Sequence, residues 1–297
     1  LVVLDRFSAR RAVWEHRLSI ALTALAALTF VFAAHDYFSI WARLKTQHLA
    51  NDGDLARAAQ FLNARDLSGS NVYVSAIHHR HPTMAYLADD YERIRWLRGA
   101  QALAIPADGP ALYLFPQSAP APAEWLIGWE AVLAAAPLDP VGKVDFRAYQ
   151  FARADAVPQP EFQRAYANFG HIAELTGFRV VTARAAQPLL ADLQLHVLNP
   201  PNRGDYRLVA DLVDAWGYPW AQAFNESFPA EQWRVGDSII ARMEIPLPTG
   251  IPPGEYRLAV TLYSPGSRQN LPALDADGRT AAAALVGPLQ LARATEP

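Results

Sequence analysis

The sequence predicts an α+β protein with an N-terminal transmembrane helix, a small α/β domain and a C-terminal antiparallel β-sandwich of the Ig-like or jelly-roll kind. Three observations predict it. Leu18–Ala34 is an apolar run without charge, Pro or Gly. Residues 45–140 alternate helix-like and strand-like segments. From Val144 onward the chain breaks into short period-two runs between Pro/Gly turns. The expected boundaries are 1–44, 45–140 and 141–297, with the span at about 18–38.

The apolar run comes first. As a helix, its 17 residues cover roughly 26 Å at about 1.5 Å per residue, against a hydrocarbon core about 30 Å thick. Tyr37, Phe38 and Trp41 extend it to spanning length and suit one interface; Trp14 suits the other. Arg6, Arg10, Arg11 and Arg17 precede the run, while Arg43 and Lys45 follow it. This excess predicts a cytoplasmic N-terminus and an extracytoplasmic remainder. Val31-Phe32-Ala33 would suit signal peptidase, but Asp5 and Glu15 make the preceding region unlike a short basic leader. The chain opens on Leu1, not Met, as a fragment of a longer protein would. Leu1–Leu4 fits the end of an earlier span, in which case residues 5–17 form a short cytoplasmic loop.

Within 45–140, Asp52 or Asp54 can cap a helix whose stripe is Leu55, Ala58, Ala59 and Leu62. Asn71–Ala76 and Ala111–Phe115 read as strands, His81-Pro82-Thr83 opens a second helix, and Glu124–Trp129 reads as a short one. The alternation predicts a partly parallel sheet. No GxGxxG or GxxxxGK[ST] follows a strand, so nucleotide binding has no motif behind it.

In 141–297 the expected strands are Val144–Phe151, Ile172–Leu175, Arg179–Ala183, Leu190–Val197, Tyr206–Val213, Ile239–Ile245, Tyr256–Tyr263 and Ala284–Leu291. Turns are expected at Asn199–Gly204, Pro248–Gly250, Pro252–Gly254 and Asp275–Gly278. Asp275 and Asp277 lack the later ligands of a calcium loop. Leu208, Ala210 and Leu212 alternate with Arg207, Val209 and Asp211, as a half-buried antiparallel strand requires.

Composition narrows the chemistry. The 297 residues contain no Cys, which removes disulfides, thiolate catalysis and cysteine zinc sites. A net charge of -3 gives no general reason for nucleic-acid binding. There is no GxSxG elbow, and acidic pairs such as Asp89/Asp90 and Asp275/Asp277 are ordinary surface pairs. No cofactor or metal is expected. Two sets of ligand candidates remain. His78, His79, Arg80 and His81 follow a strand, where α/β folds bind ligands; they can hold a metal or an anion, or form a solvated loop. Trp216, Trp220 and Trp233, with Tyr218 and Phe224 nearby, can stack on sugar rings or simply fill the core.

A resemblance adds to this reading. The segments His35-Asp36-Tyr37-Phe38-Ser39-Ile40-Trp41-Ala42, Asp54–Leu62, Val72–Ser75 and His81–Leu87 occur in that order. They resemble the C-terminal end of bacterial family 39-type glycosyltransferases, related to protein mannosyltransferases and aminoarabinose transferases. Phe169–Phe178, Asp205-Tyr206, Trp233–Asp237 and Pro253–Leu258 through Leu262-Tyr263 resemble a further β-domain of some members. Strand Leu190–Val197 departs from the family in lacking a tryptophan. The resemblance implies a bacterial cytoplasmic membrane protein that moves sugar from a polyprenyl-phosphate carrier to an acceptor. Its catalytic acids lie in outer loops between earlier spans, so no catalytic residue is expected in this chain. The implied partners are the lipid bilayer, the rest of the enzyme's membrane core, and a glycan or polyprenyl-phosphate sugar. The alternative expectation is a single-pass anchored carbohydrate-binding or interaction module.

Overall fold

The computed structural model describes residues 2–41, 44–99, 101–183, 187–200 and 206–292. The chain divides into two compact units. One holds Leu1–Gly53 with Leu138–Lys143; the other holds Asp54–Pro137 with Val144–Pro297.

In the first unit, α1 (Val2–His35) continues through a π-helical turn at Asp36–Ile40, and α2 (Lys45–Ala50) follows. Residues 5–17, which would connect two spans if Leu1–Leu4 ended an earlier one, are helical. The physical reason is the absence of any Pro or Gly before Gly53, so nothing in the segment breaks the hydrogen-bond ladder. Trp14–Ile40 is long and apolar enough to cross a membrane, with a mean hydropathy of 1.9 over its most apolar stretch. Leu18, Leu22, Leu25, Leu28, Phe30 and Phe32 are exposed on all faces. The hydroxyls of Thr23 and Thr29 donate to the carbonyls of Ser19 and Leu25 at 2.9 and 2.8 Å, so neither needs water. Tyr37 stacks on Trp41 with ring centroids 4.8 Å apart.

The second unit is α+β, with three sheets that are mostly antiparallel. Its helices are α3 (Gly53–Asn63) and α4 (Pro82–Leu87). The strands are β1 (Asn71–Ala76), β2 (Ile94–Arg98), β3 (Ala102–Ile105), β4 (Ala111–Pro116), β5 (Leu133–Ala135), β6 (Phe146–Phe151), β7 (Gln163–Phe169), β8 (Ala173–Thr182) and β9 (Leu189–Val197). There follow β10 (Arg207–Val213), β11 (Pro219–Asn225), β12 (Ser238–Ile245), β13 (Gly254–Ser264), β14 (Gln269–Asn270), β15 (Ala273–Leu274), β16 (Thr280–Ala281) and β17 (Ala284–Leu291).

The first sheet runs β2-β1-β4-β6-β5, parallel among β2, β1 and β4 and antiparallel beyond. Val72, Val74, Leu112 and Leu114 pack under Leu55, Ala58, Ala59 and Leu62 of α3. Tyr73, Tyr113 and Phe115, one residue out of phase, belong to a second cluster with Trp125 and Trp129. Apolar residues of both phases are therefore used, as in a sheet buried on two faces. Asp54, one of the two expected caps, is fully buried at the start of α3. Its carboxylate accepts the N–H groups of Leu55 and Ser118, both at 2.8 Å.

The second sheet runs β16-β15-β7-β8-β9-β12-β3 and is antiparallel throughout. The third runs β11-β10-β13-β14, with β17 also on β13, and is antiparallel as well. Leu208, Ala210 and Leu212 of β10 and Leu258, Val260 and Leu262 of β13 share one core cluster with Leu193, Leu195 and Met243.

Residue 140 does not separate the sheets. Strand β3 leaves the parallel sheet's stretch of sequence to pair with β12, while β6 pairs back with β4. The two strands expected at Ile172–Leu175 and Arg179–Ala183 are one, β8, bent by register shifts at Leu175/Gly177 and Val180/Thr182. A Cβ on Gly177 would lie 2.8 Å from Phe162 Cβ, so only glycine fits there. Asp275 Oδ1 accepts from the N–H groups of Asp277 and Arg279, which makes Asp275–Gly278 the expected hairpin turn. The Asn199–Gly204 turn falls mostly outside the described residues.

Candidate functional site

Strand β1 ends at Ala76, and the next five residues carry the histidine–arginine cluster. Ile77 and His78 are exposed, His79 half-buried, Arg80 exposed and His81 buried. The loop turns through Arg80, whose φ of 55° is uncommon for a side chain with a Cβ. The rings of His78 and His81 lie 6.0 Å apart, while His79 Nε2 points away to Glu231 Oε1 at 3.1 Å. The three imidazoles therefore do not converge. Among the described residues no group of three or more His, Asp or Glu is arranged to hold a metal ion.

Two cavities meet at Glu231. The first, about 270 Å3, is lined by Arg80, Tyr91, Arg93, Arg95, Arg234 and their neighbours along the edge of β2. The second, about 280 Å3, is lined by His79, Arg98, Tyr206, Arg207, Glu226 and Glu231. The His79–Glu231 pair stands where they adjoin. Behind the first cavity, Arg95 is buried. Its guanidinium donates to the Tyr73 hydroxyl, the Gln232 carbonyl and the Asp237 carboxylate. Burial raises the pKa of Tyr73, so its phenol stays protonated. Sequence reasoning missed Arg93, Arg95, Arg234 and Asp237. Residues 95 and 237 are 142 positions apart, and no local pattern joins them.

The tryptophans separate. Trp216 sits in the hairpin between β10 and β11 and is 91% exposed, with Tyr218 at 63%. Trp220 is half-buried, and its ring meets Tyr218 and Tyr256 edge-on. Trp233 is 7% exposed and donates Nε1–H to the Phe228 carbonyl at 3.0 Å. It is a core residue, and it also contributes to the lining of the first cavity. Asp214 organises the hairpin by accepting from Trp216 N, Tyr218 N and Trp220 Nε1 at 2.9, 2.9 and 3.1 Å. Desolvation works against its charge, yet these bonds outweigh it and hold the carboxyl below the usual carboxylate range. The Asp214-Ala215-Trp216-Gly217 sequence is itself a turn signal that could have revealed this role.

A third polar cluster is internal. Asp192 is fully buried and takes both nitrogens of an Arg242 fork at 2.8 and 3.0 Å, Trp125 Nε1 at 2.9 Å and Arg179. Glu124 balances Arg242 at 2.8 Å. The Asp192 carboxylate is spent on the fold, while Arg179 Nε is buried without a hydrogen-bond partner among the described residues.

No family model matches this chain, and no match is found among curated proteins or solved structures.

Proposed function

We propose that the chain is the extracytoplasmic C-terminal part of a bacterial polyprenyl-phosphate-sugar-dependent membrane glycosyltransferase. Its β-rich unit, read as an Ig-like or jelly-roll sandwich, positions acceptor or glycan, or stabilises the membrane core. The observation that carries this reading is the fit between the resembling segments and the elements. Asp36–Trp41 closes the membrane-length helix, Asp54–Leu62 lies in α3, Val72–Ser75 in β1, and His81–Leu87 forms α4 with its cap. The arginine excess before the helix supports a cytoplasmic N-terminus. No catalytic residue is assigned to this chain. The test expresses the complete reading frame and an otherwise identical version ending after Trp41. Transfer from a polyprenyl-phosphate sugar is then measured in membranes. A raised acceptor KM in the shortened enzyme is expected. Unchanged acceptor kinetics sinks the positioning role, and a reading frame without further apolar spans sinks the glycosyltransferase reading.

A specific observation favours a second reading, a membrane-anchored carbohydrate-binding module. Trp216 and Tyr218 present exposed rings on a hairpin held rigid by Asp214. Aromatic anchors of this kind dominate binding energies. W216A and Y218A are expected to weaken glycan binding at least tenfold in this case, and unaltered titrations count against it.

A further inference from the structure

We propose that the cavity along the edge of β2 is a binding site for a phosphate-bearing ligand. The inference stands apart from the glycosyltransferase reading and from the aromatic hairpin. Four guanidinium-bearing residues, Arg80, Arg93, Arg95 and Arg234, line this one space of about 270 Å3, together with Tyr91. They arrive from separate stretches of chain: the loop after β1, the start of β2, and the segment before β12. The carboxylates in the lining are Glu92 and Glu231. Glu231 is already engaged by His79. Arg95 is neutralised by Asp237 behind the wall, but its Nε has no hydrogen-bond partner among the described residues. Arg93 lies near enough to Asp66 to help lower its pKa, and Arg234 spends one nitrogen on Asn71 Oδ1 at 2.9 Å.

Planar guanidinium forks match the oxygens of phosphate and carboxylate. One carboxylate is saturated by one or two forks. A phosphate group carries up to two charges and at least three acceptor oxygens, so it suits several arginines approaching from different segments. The Tyr91 phenol is a neutral donor at the same wall, its pKa raised by burial despite the nearby Arg80. Arg80, in the turn four residues beyond the end of β1, has a left-handed backbone conformation and lines the cavity. The cavity volume leaves room beside the phosphate for a small organic group, such as a sugar ring or a lipid's first carbons.

The test is calorimetric titration of the full chain in lipid nanodiscs. Three probes separate the sources of the phosphate: inorganic phosphate, glucose 1-phosphate, and nanodiscs carrying phosphatidic acid. At least one should bind, more weakly as salt rises. R80Q and R93Q are each expected to weaken it about tenfold or more. R279Q, at an exposed turn elsewhere, is expected to leave it unchanged. R80K and R93K should recover only part of the affinity, since lysine keeps the charge but not the fork. Near-ultraviolet circular dichroism identifies any variant that fails to fold. Preference for glucose 1-phosphate supports a soluble sugar phosphate; binding confined to phosphatidic acid supports a lipid headgroup. The proposal is overturned if folded R80Q and R93Q bind as the parent does, or if no probe binds at millimolar concentration.

Discussion

At the scale of single residues, two aspartates show how environment sets a role. Asp214 has three hydrogen-bond donors aimed at its carboxylate, all within the Asp214–Trp220 hairpin. Its folded-state pKa lies below the unfolded value of about 3.9. Its contribution is therefore complete above that unfolded value and is lost as pH falls through the lower, folded one. The Trp220 indole N–H resonance is expected to stay constant from neutral pH down to about 4 and to shift only in stronger acid. In D214A the same resonance should exchange rapidly with solvent at every pH. Asp192 is the opposite case, wholly buried between Arg179 and Arg242. Burial pushes its pKa up, but the bonds from Arg242, Trp125 and Arg179 more than offset this and keep it low. D192A strands Arg179 and leaves Arg242 with Glu124 alone, and urea unfolding should show a loss of about 3–5 kcal/mol.

At the scale of elements, two local devices decide how strands end and bend. β2 is an edge strand, and an open edge invites further pairing. Here the Gln232 side chain stands in for a neighbouring strand: its Oε1 accepts from Trp96 N and its Nε2 donates to Trp96 O at 3.1 Å. Q232A leaves both backbone groups without that partner, and a loss of about 1–3 kcal/mol is expected in thermal unfolding. In β8 the bend at Gly177 lets one ten-residue strand serve where the sequence suggests two. G177A drives a methyl into Phe162 and the Gln163 carbonyl, at an expected cost of about 1–3 kcal/mol. Period two made most strands legible, among them β9, β10, β12, β13 and β17. It missed β7 (QRAYANF) and β11 (PWAQAFN). Both begin polar or with proline and have exposed positions out of phase with a clean alternation, so neither stands out from a turn in one dimension.

At the scale of the whole molecule, the membrane-length helix and the β-rich unit have independent physical grounds. The helix is long and apolar enough to cross a membrane, and its leucines and phenylalanines are exposed on every face. The chain is therefore expected to stay with the membrane after alkaline carbonate washing. Deleting residues 14–40 should release it, and partition of the deleted chain with the membrane would refute the anchor. The membrane-length helix, most of the longer strands and the Asp275–Gly278 turn were determined by the sequence alone, because each rests on contacts a few residues apart: an unbroken apolar run, alternation, an Asp or Gly at a turn. The tertiary structure alone decided which strands share a sheet, sending β3 to β12 and β6 to β4. It also buried Trp233 while leaving Trp216 in solvent, and gathered Arg80, Arg93, Arg95 and Arg234 around one cavity. These outcomes depend on pairings between residues as much as 163 positions apart. Their free energy comes from burying surfaces that meet only after the chain has folded, and no pattern along the sequence records which surfaces those will be.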